Sequence, residues 1–105
     1  MMITIESKLP INEILQLCNK YSVSEISVFG SILREDFSDK SDVDFLVVFQ
    51  DNDAGPWMSR ATALEEELSS LLHRPVDVVL KRAVEKSRNG IRRRSILDNA
   101  VVIYE

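Results

Sequence analysis

The 105-residue chain is short of the residues that most often advertise chemistry: it has one cysteine, one histidine and one tryptophan. A lone cysteine excludes an internal disulfide. Cys18 also falls, with Ile11, Ile14 and Leu15, on the 11, 14, 15, 18 stripe of an amphipathic helix, which reads as core rather than as a reactive thiol. His73 falls where a helix should be ending, and there helix-dipole stabilisation or plain exposure accounts for it better than catalysis does. No apolar stretch approaches the ~20 residues needed to cross a bilayer. Residues 1–10 lack the basic start and apolar run of a secretion signal, so a cytoplasmic location and no membrane association are expected. Internal repeats, linkers and low-complexity tracts are absent as well.

What is present is an ordinary soluble composition, 45% apolar and 29% charged, in a length that suits one domain over residues 1–105. The net charge of −4 hides an asymmetry. Residues 1–73 hold 5 basic and 13 acidic side chains, residues 74–105 hold 8 and 4. Carboxylates clustered on a strand suit metal ions, and a basic segment suits phosphates or an acidic partner. For Glu65, Glu66 and Glu67, and for Arg92, Arg93 and Arg94, a solvated helix face is the simpler reading.

Residues 11–21 read as a helix, and residues 25–29 (Glu-Ile-Ser-Val-Phe) alternate like a half-buried strand. Gly30-Ser31 then makes a tight turn, residues 32–36 allow one or two helical turns, and residues 37–41 form a polar loop. Residues 43–49 are apolar except for Asp44 and read as a strand covered on both faces. Pro56 is placed to open a long helix. Its apolar positions, Trp57, Ala61, Leu64, Leu68, Leu71 and Leu72, step as a core-facing stripe, which predicts a buried Trp57. Pro75 stops that helix, residues 76–80 (Val-Asp-Val-Val-Leu) form a short strand, and residues 83–99 look helical with a break at Asn89-Gly90. Residues 101–104 add an edge strand. Alternating elements of this kind predict an α/β or α+β domain with one small mixed sheet and flanking helices.

Within that frame Asp42 and Asp44 lie two apart at the start of a strand, so both carboxylates project from one face. Two like charges together call for a cation, and carboxylate oxygens suit hard ions such as Mg2+. An Asp-x-Asp pair alone is weak evidence. Asp77 adds to it, because a carboxylate interrupting an apolar strand is costly without a positive neighbour; three carboxylates converging would suit two metal ions and phosphoryl transfer. Gly30-Ser31 adds a turn where backbone can approach a ligand, a helix start whose N–H groups can face phosphate, and a hydroxyl. Alone, it is a turn with a cap.

Gly30-Ser31, ten intervening residues, then Asp42-Val43-Asp44 resembles the signature of the DNA polymerase β-like nucleotidyltransferase superfamily. Arg34, the run from Ser41 through Val48 and the later Asp77 resemble most the minimal nucleotidyltransferases, among them the antitoxin partners of HEPN-domain toxins. The resemblance implies a polymerase β-like fold in which Asp42 and Asp44 bind metal and Asp77 completes a catalytic triad, able to deprotonate the attacking hydroxyl. Gly30 and Ser31 would hold the triphosphate, with Ser41 in the nucleotide site and Arg34 contacting phosphate or bracing the loop. It further implies two Mg2+ ions, ATP as donor of AMP, and a tyrosine hydroxyl of a HEPN ribonuclease toxin as acceptor, with no direct nucleic-acid binding. A core this short has no room for a substrate domain, so an acceptor delivered by a partner is the economical expectation. Masking of the toxin by contact alone, and adenylylation of a small molecule, are the alternatives. Leu33-Arg34-Glu35 departs from the family's usual Arg-Gly, placing an acidic residue beside the arginine.

Overall fold

The computed structural model describes residues 9–34 and 41–105. Four strands, β1 (Val23–Phe29), β2 (Val43–Phe49), β3 (Val76–Leu80) and β4 (Val101–Tyr104), form one sheet in the order β3-β2-β1-β4. β2 runs parallel to β3 and antiparallel to β1, and β4 runs antiparallel to β1, so the sheet is mixed, as expected. The helices are α1 (Ile11–Lys20), α2 (Ser59–Leu72), α3 (Lys81–Glu85) and α4 (Gly90–Asn99). None is long and apolar enough to cross a membrane among the described residues.

Alternation along β2 sorts the two faces of the sheet. Val43, Phe45, Val47 and Phe49 join Ile14 and Cys18 of α1 and Leu64 and Leu68 of α2 in the main core. Leu46 points the other way, into a smaller cluster with Val84 of α3 and Ile96 of α4, against which Phe29 and Val79 pack. Both faces of β2 are thus covered for most of its length, which is why its sequence is nearly continuous in apolar residues. Burial pushes the Cys18 thiol up to about 11, consistent with a core residue that stays protonated.

Several expectations are redrawn. β1 begins at Val23, two residues before the alternation starts, because a bulge between Val23 and Glu25 interrupts the pattern. Helix α2 begins at Ser59 and not near Pro56. Ahead of it Gly55, Trp57 and Met58 all have positive φ, and Trp57 is 96% exposed rather than buried. The left-handed pair breaks the helical phase, so the core-facing stripe starts at Ala61. The Ala54 carbonyl accepts from the N–H groups of Arg60 (2.8 Å) and Ala61 (3.3 Å), doing for the helix start what a side-chain cap would do. With Trp57 this exposed, Trp57→Ala is expected to change stability by less than about 0.5 kcal/mol in denaturant titration, against the ~3–5 kcal/mol typical of a core tryptophan.

Two of the three consecutive glutamates of α2 have structural partners, contrary to the solvated reading. Glu65 Oε2 accepts from the Val78 N–H at 2.8 Å, occupying the outer edge of β3. Glu67 pairs with Lys20 at 3.0 Å and accepts from the Tyr21 hydroxyl. The expected break at Asn89-Gly90 is real: α3 and α4 are separate helices, and the Asn89 side chain caps α4 by accepting from the Arg92 N–H at 3.1 Å.

Candidate active site

The strand register brings the motif residues to one end of the sheet. Phe29, the last residue of β1, pairs with Asp44, and Asp44 pairs on its other side with Asp77. Register partners on adjacent parallel strands present their side chains on the same face, with backbones about 4.8 Å apart. Asp44 belongs to the face opposite Val43 and Phe45, so this is the face that holds Leu46 and the smaller cluster. Asp42 stands immediately ahead of β2, two residues before Asp44.

Exposure differs among the three carboxylates. Asp42 and Asp77 are open to solvent, whereas Asp44 is half-buried. The expected cost of an apolar-strand carboxylate therefore falls on Asp44 more than on Asp77, whose edge strand leaves it in water. The Asp44 carboxyl is held above its usual range, first by burial, then by the negative charges of Asp77 and Asp42. Among the described residues no three His, Cys, Asp or Glu side chains close into a ready metal cage. The donor set is all oxygen, and its central carboxylate is destabilised by its neighbours' charge; both properties fit a hard divalent cation.

Gly30 closes the other flank of Asp44. Its φ is +79°, and a Cβ built on it would overlap Asp44 Oδ2, so the turn needs glycine both for conformation and for room. Ile32, fully buried in the main core, fixes the turn against the sheet. The helix expected after Gly30-Ser31 is only a 3-10 turn, Gly30–Leu33, because Arg34 is already extended at φ −96°, ψ 156°. The rest of the expected helix and most of the polar loop, residues 35–40, lie outside the described residues. With so short a turn, the helix dipole contributes little, and backbone approach at Gly30 is the main asset for an anionic ligand.

Ser31 Oγ donates to the Asp42 carbonyl at 3.0 Å, linking the turn to the carboxylate segment. Arg34 is exposed, and its N–H donates to the Ser31 carbonyl at 3.0 Å. The Ser41 carbonyl accepts from Arg74 Nη1 at 3.2 Å. Arg74 was given no role by sequence reasoning; its position two residues before the strand that carries Asp77 was the available signal. His73 is the exposed left-handed residue that ends α2, in keeping with a non-catalytic reading.

The sequence profile of the family described as polymerase beta, nucleotidyltransferase, matches residues 12–105. A protein of Methanocaldococcus jannaschii, provisionally named a protein adenylyltransferase, is 36% identical over 87 residues, covering 83% of each chain. The protein adenylyltransferase MntA of Thermococcus cleftensis is 39% identical over 70 residues, covering 67% of this chain and 68% of that one. A solved structure described provisionally as a minimal nucleotidyltransferase superposes with a TM-score of 0.67 at 27% identity, covering 94% of this chain and 95% of its own. A toxin-antitoxin structure with AMP-PNP shares the fold with a TM-score of 0.69 at 22% identity, over 91% of this chain and 73% of that one. With Asp42, Asp44 and Asp77 gathered beside the Gly30 turn on this fold, the chain belongs to the polymerase beta nucleotidyltransferase family and is a nucleotidyltransferase.

Proposed function

We propose that the chain transfers AMP from ATP to a tyrosine hydroxyl of a HEPN ribonuclease toxin in the cytoplasm, and that this modification neutralises the toxin. The observation that carries the reading is the register of Asp44 between the Gly30 turn and Asp77, with Asp42 two residues earlier. Asp42, Asp44 and Asp77 would hold two Mg2+ ions, which when bound supply charge neutralisation on the triphosphate. Gly30 lets the backbone come close to the phosphates, with Ser31, Arg34 and Ser41 around it. The acceptor oxygen bonds to the α-phosphorus, the bond from that phosphorus to the bridging oxygen of pyrophosphate breaks, and Asp77 receives the hydroxyl proton. Asp77 suits that task because it stands exposed on an edge strand, where an acceptor borne by another protein can reach it.

The surroundings of the site support an acceptor borne by a partner. All four strands and both clusters of buried side chains serve the core that positions the carboxylates, and the described residues add no second layer for a substrate. The names of the relatives, a protein adenylyltransferase MntA and MntA-HepT toxin-antitoxin structures, support a protein acceptor. The test is mass spectrometry of the partner after incubation with this chain, ATP and Mg2+. A gain of one or more adenylyl groups on a tyrosine is expected; a stable complex with unmodified partner would contradict transfer and favour neutralisation by masking. Modification of a small molecule in place of the partner would contradict the choice of acceptor.

A further inference from the structure

The segment that carries Asp42 is fastened on three sides. Arg74 Nη1 donates to the Ser41 carbonyl at 3.2 Å, Ser31 Oγ donates to the Asp42 carbonyl at 3.0 Å, and the Val43 N–H donates to the Pro75 carbonyl at 3.1 Å. Asp42 needs such fastening more than Asp44 or Asp77 does. The β2–β3 ladder begins at Val43, so no sheet pairing holds Asp42, and its side chain is exposed. Where its carboxylate points is therefore inherited from the backbone on either side of it.

Of the three fastenings, the one through Arg74 is made by a charged side chain. Arg74 is half-buried, its carbonyl accepts from Ser69 Oγ at 2.8 Å, and its N–H donates to the Ser69 carbonyl at 3.4 Å. Pro75 behind it restricts its backbone to extended conformations. From a backbone held this way, the guanidinium offers a charge-assisted bond to a carbonyl, stronger than a neutral donor would give. The end of α2 is thus tied, through Ser69 and Arg74, to the peptide just before Asp42.

We propose that Arg74 is a positioning residue for Asp42, holding the Ser41 carbonyl so that Asp42 meets a divalent cation together with Asp44. The proposal rests on the reading of Asp42 as a metal-binding carboxylate. Outer partners that orient metal-binding groups typically change metal affinity or activity by about 10–100-fold. Lysine in place of arginine keeps a charged donor on a shorter stem, so it should restore part of the effect.

The experiment titrates Mn2+ into the nucleotide-free chain by calorimetry for wild type, Arg74→Ala, Arg74→Lys and Asp42→Ala, beside thermal melts and the Mg2+ concentration for half-maximal AMP transfer. Arg74→Ala is expected to weaken Mn2+ binding about 10–100-fold and to raise the Mg2+ requirement similarly, leaving the KM for ATP at saturating Mg2+ near the wild-type value. Arg74→Lys should recover much of the Mn2+ affinity. Wild-type Mn2+ affinity in Arg74→Ala would overturn the proposal. So would a lysine variant no better than the alanine variant, with both affinities tracking the loss of thermal stability. If Arg74→Ala does not fold, Arg74→Gln carries the same comparison, and wild-type affinity there overturns the proposal too. Asp42→Ala separates the two levels: its binding Mn2+ normally would sink the metal reading itself, whereas lost binding there with intact binding in Arg74→Ala sinks only the positioning role.

Discussion

Asp44→Asn is expected to give a protein at least as stable as the wild type that transfers AMP about 100–1,000-fold more slowly, the range found when one group aimed at transition-state charge is removed. The two effects have one cause. Asp44 is half-buried beside two other carboxylates, and both its burial and their charge raise its pKa above the ordinary 3.8. A carboxyl with a raised folded-state pKa favours folding at pH values below its unfolded pKa and loses that contribution as pH rises through the folded value. At neutral pH the ionised Asp44 therefore works against the metal-free fold, and asparagine, which never ionises, does not. The stability advantage of Asp44→Asn should be present at pH 7, without divalent ions, and should vanish at pH values well below 3.8, where Asp44 is protonated in both states. Thermal melts of chelated protein across that pH range, run beside transfer assays, check both halves. A variant that loses stability at neutral pH while keeping activity would mean that Asp44 is a structural carboxylate.

Gly30→Ala is expected to lose more activity than its stability loss explains. A left-handed φ of +79° costs a non-glycine residue about 1–2 kcal/mol, and the added methyl occupies the space of Asp44 Oδ2. The carboxylate can swing away from the methyl, so the fold should survive while the site does not. Gly55 supplies the control. Its φ is +85°, and a Cβ there would crowd Ser59 Oγ and the Arg60 N–H, but it lies in the loop beyond the opposite end of β2. Gly55→Ala should be destabilised to a similar degree and retain transfer at temperatures where it is folded. Equal losses of activity in the two variants would mean that Gly30 acts only through stability.

The parts of this architecture that were legible in the sequence are those set by repetition along the chain. Strand β2 was visible as an apolar run because both of its faces are covered, and the break between α3 and α4 because Asn89 is a capping residue at a glycine. The pairing of Asp44 with Asp77 needed only that their strands be neighbours, whereas Asp42, expected on the strand beside Asp44, stands just ahead of it. What sequence could not provide came from single backbone choices and from contacts between distant segments. Trp57 fits the helical stripe by spacing, yet the left-handed conformation at Trp57 and Met58 rotates it into solvent. Glu65 and Arg74 look like surface charges until the fold brings the Val78 N–H to one and the Ser41 carbonyl to the other. Periodicity registers which face a residue occupies, and it is silent about bonds between segments tens of residues apart.

The central claim is that Asp42, Asp44 and Asp77 form a nucleotidyl-transfer centre at the end of the sheet. It is tested most directly by following label from α-phosphate-labelled ATP into the partner protein, with wild type and Asp42→Ala compared at equal folded concentration and saturating Mg2+. Asp42 is exposed and precedes the first paired residue of β2, so its removal should leave the thermal melt unchanged. Label incorporation that falls by at least about 100-fold in a variant with a wild-type melt is the predicted result; incorporation at the wild-type rate by Asp42→Ala would contradict it.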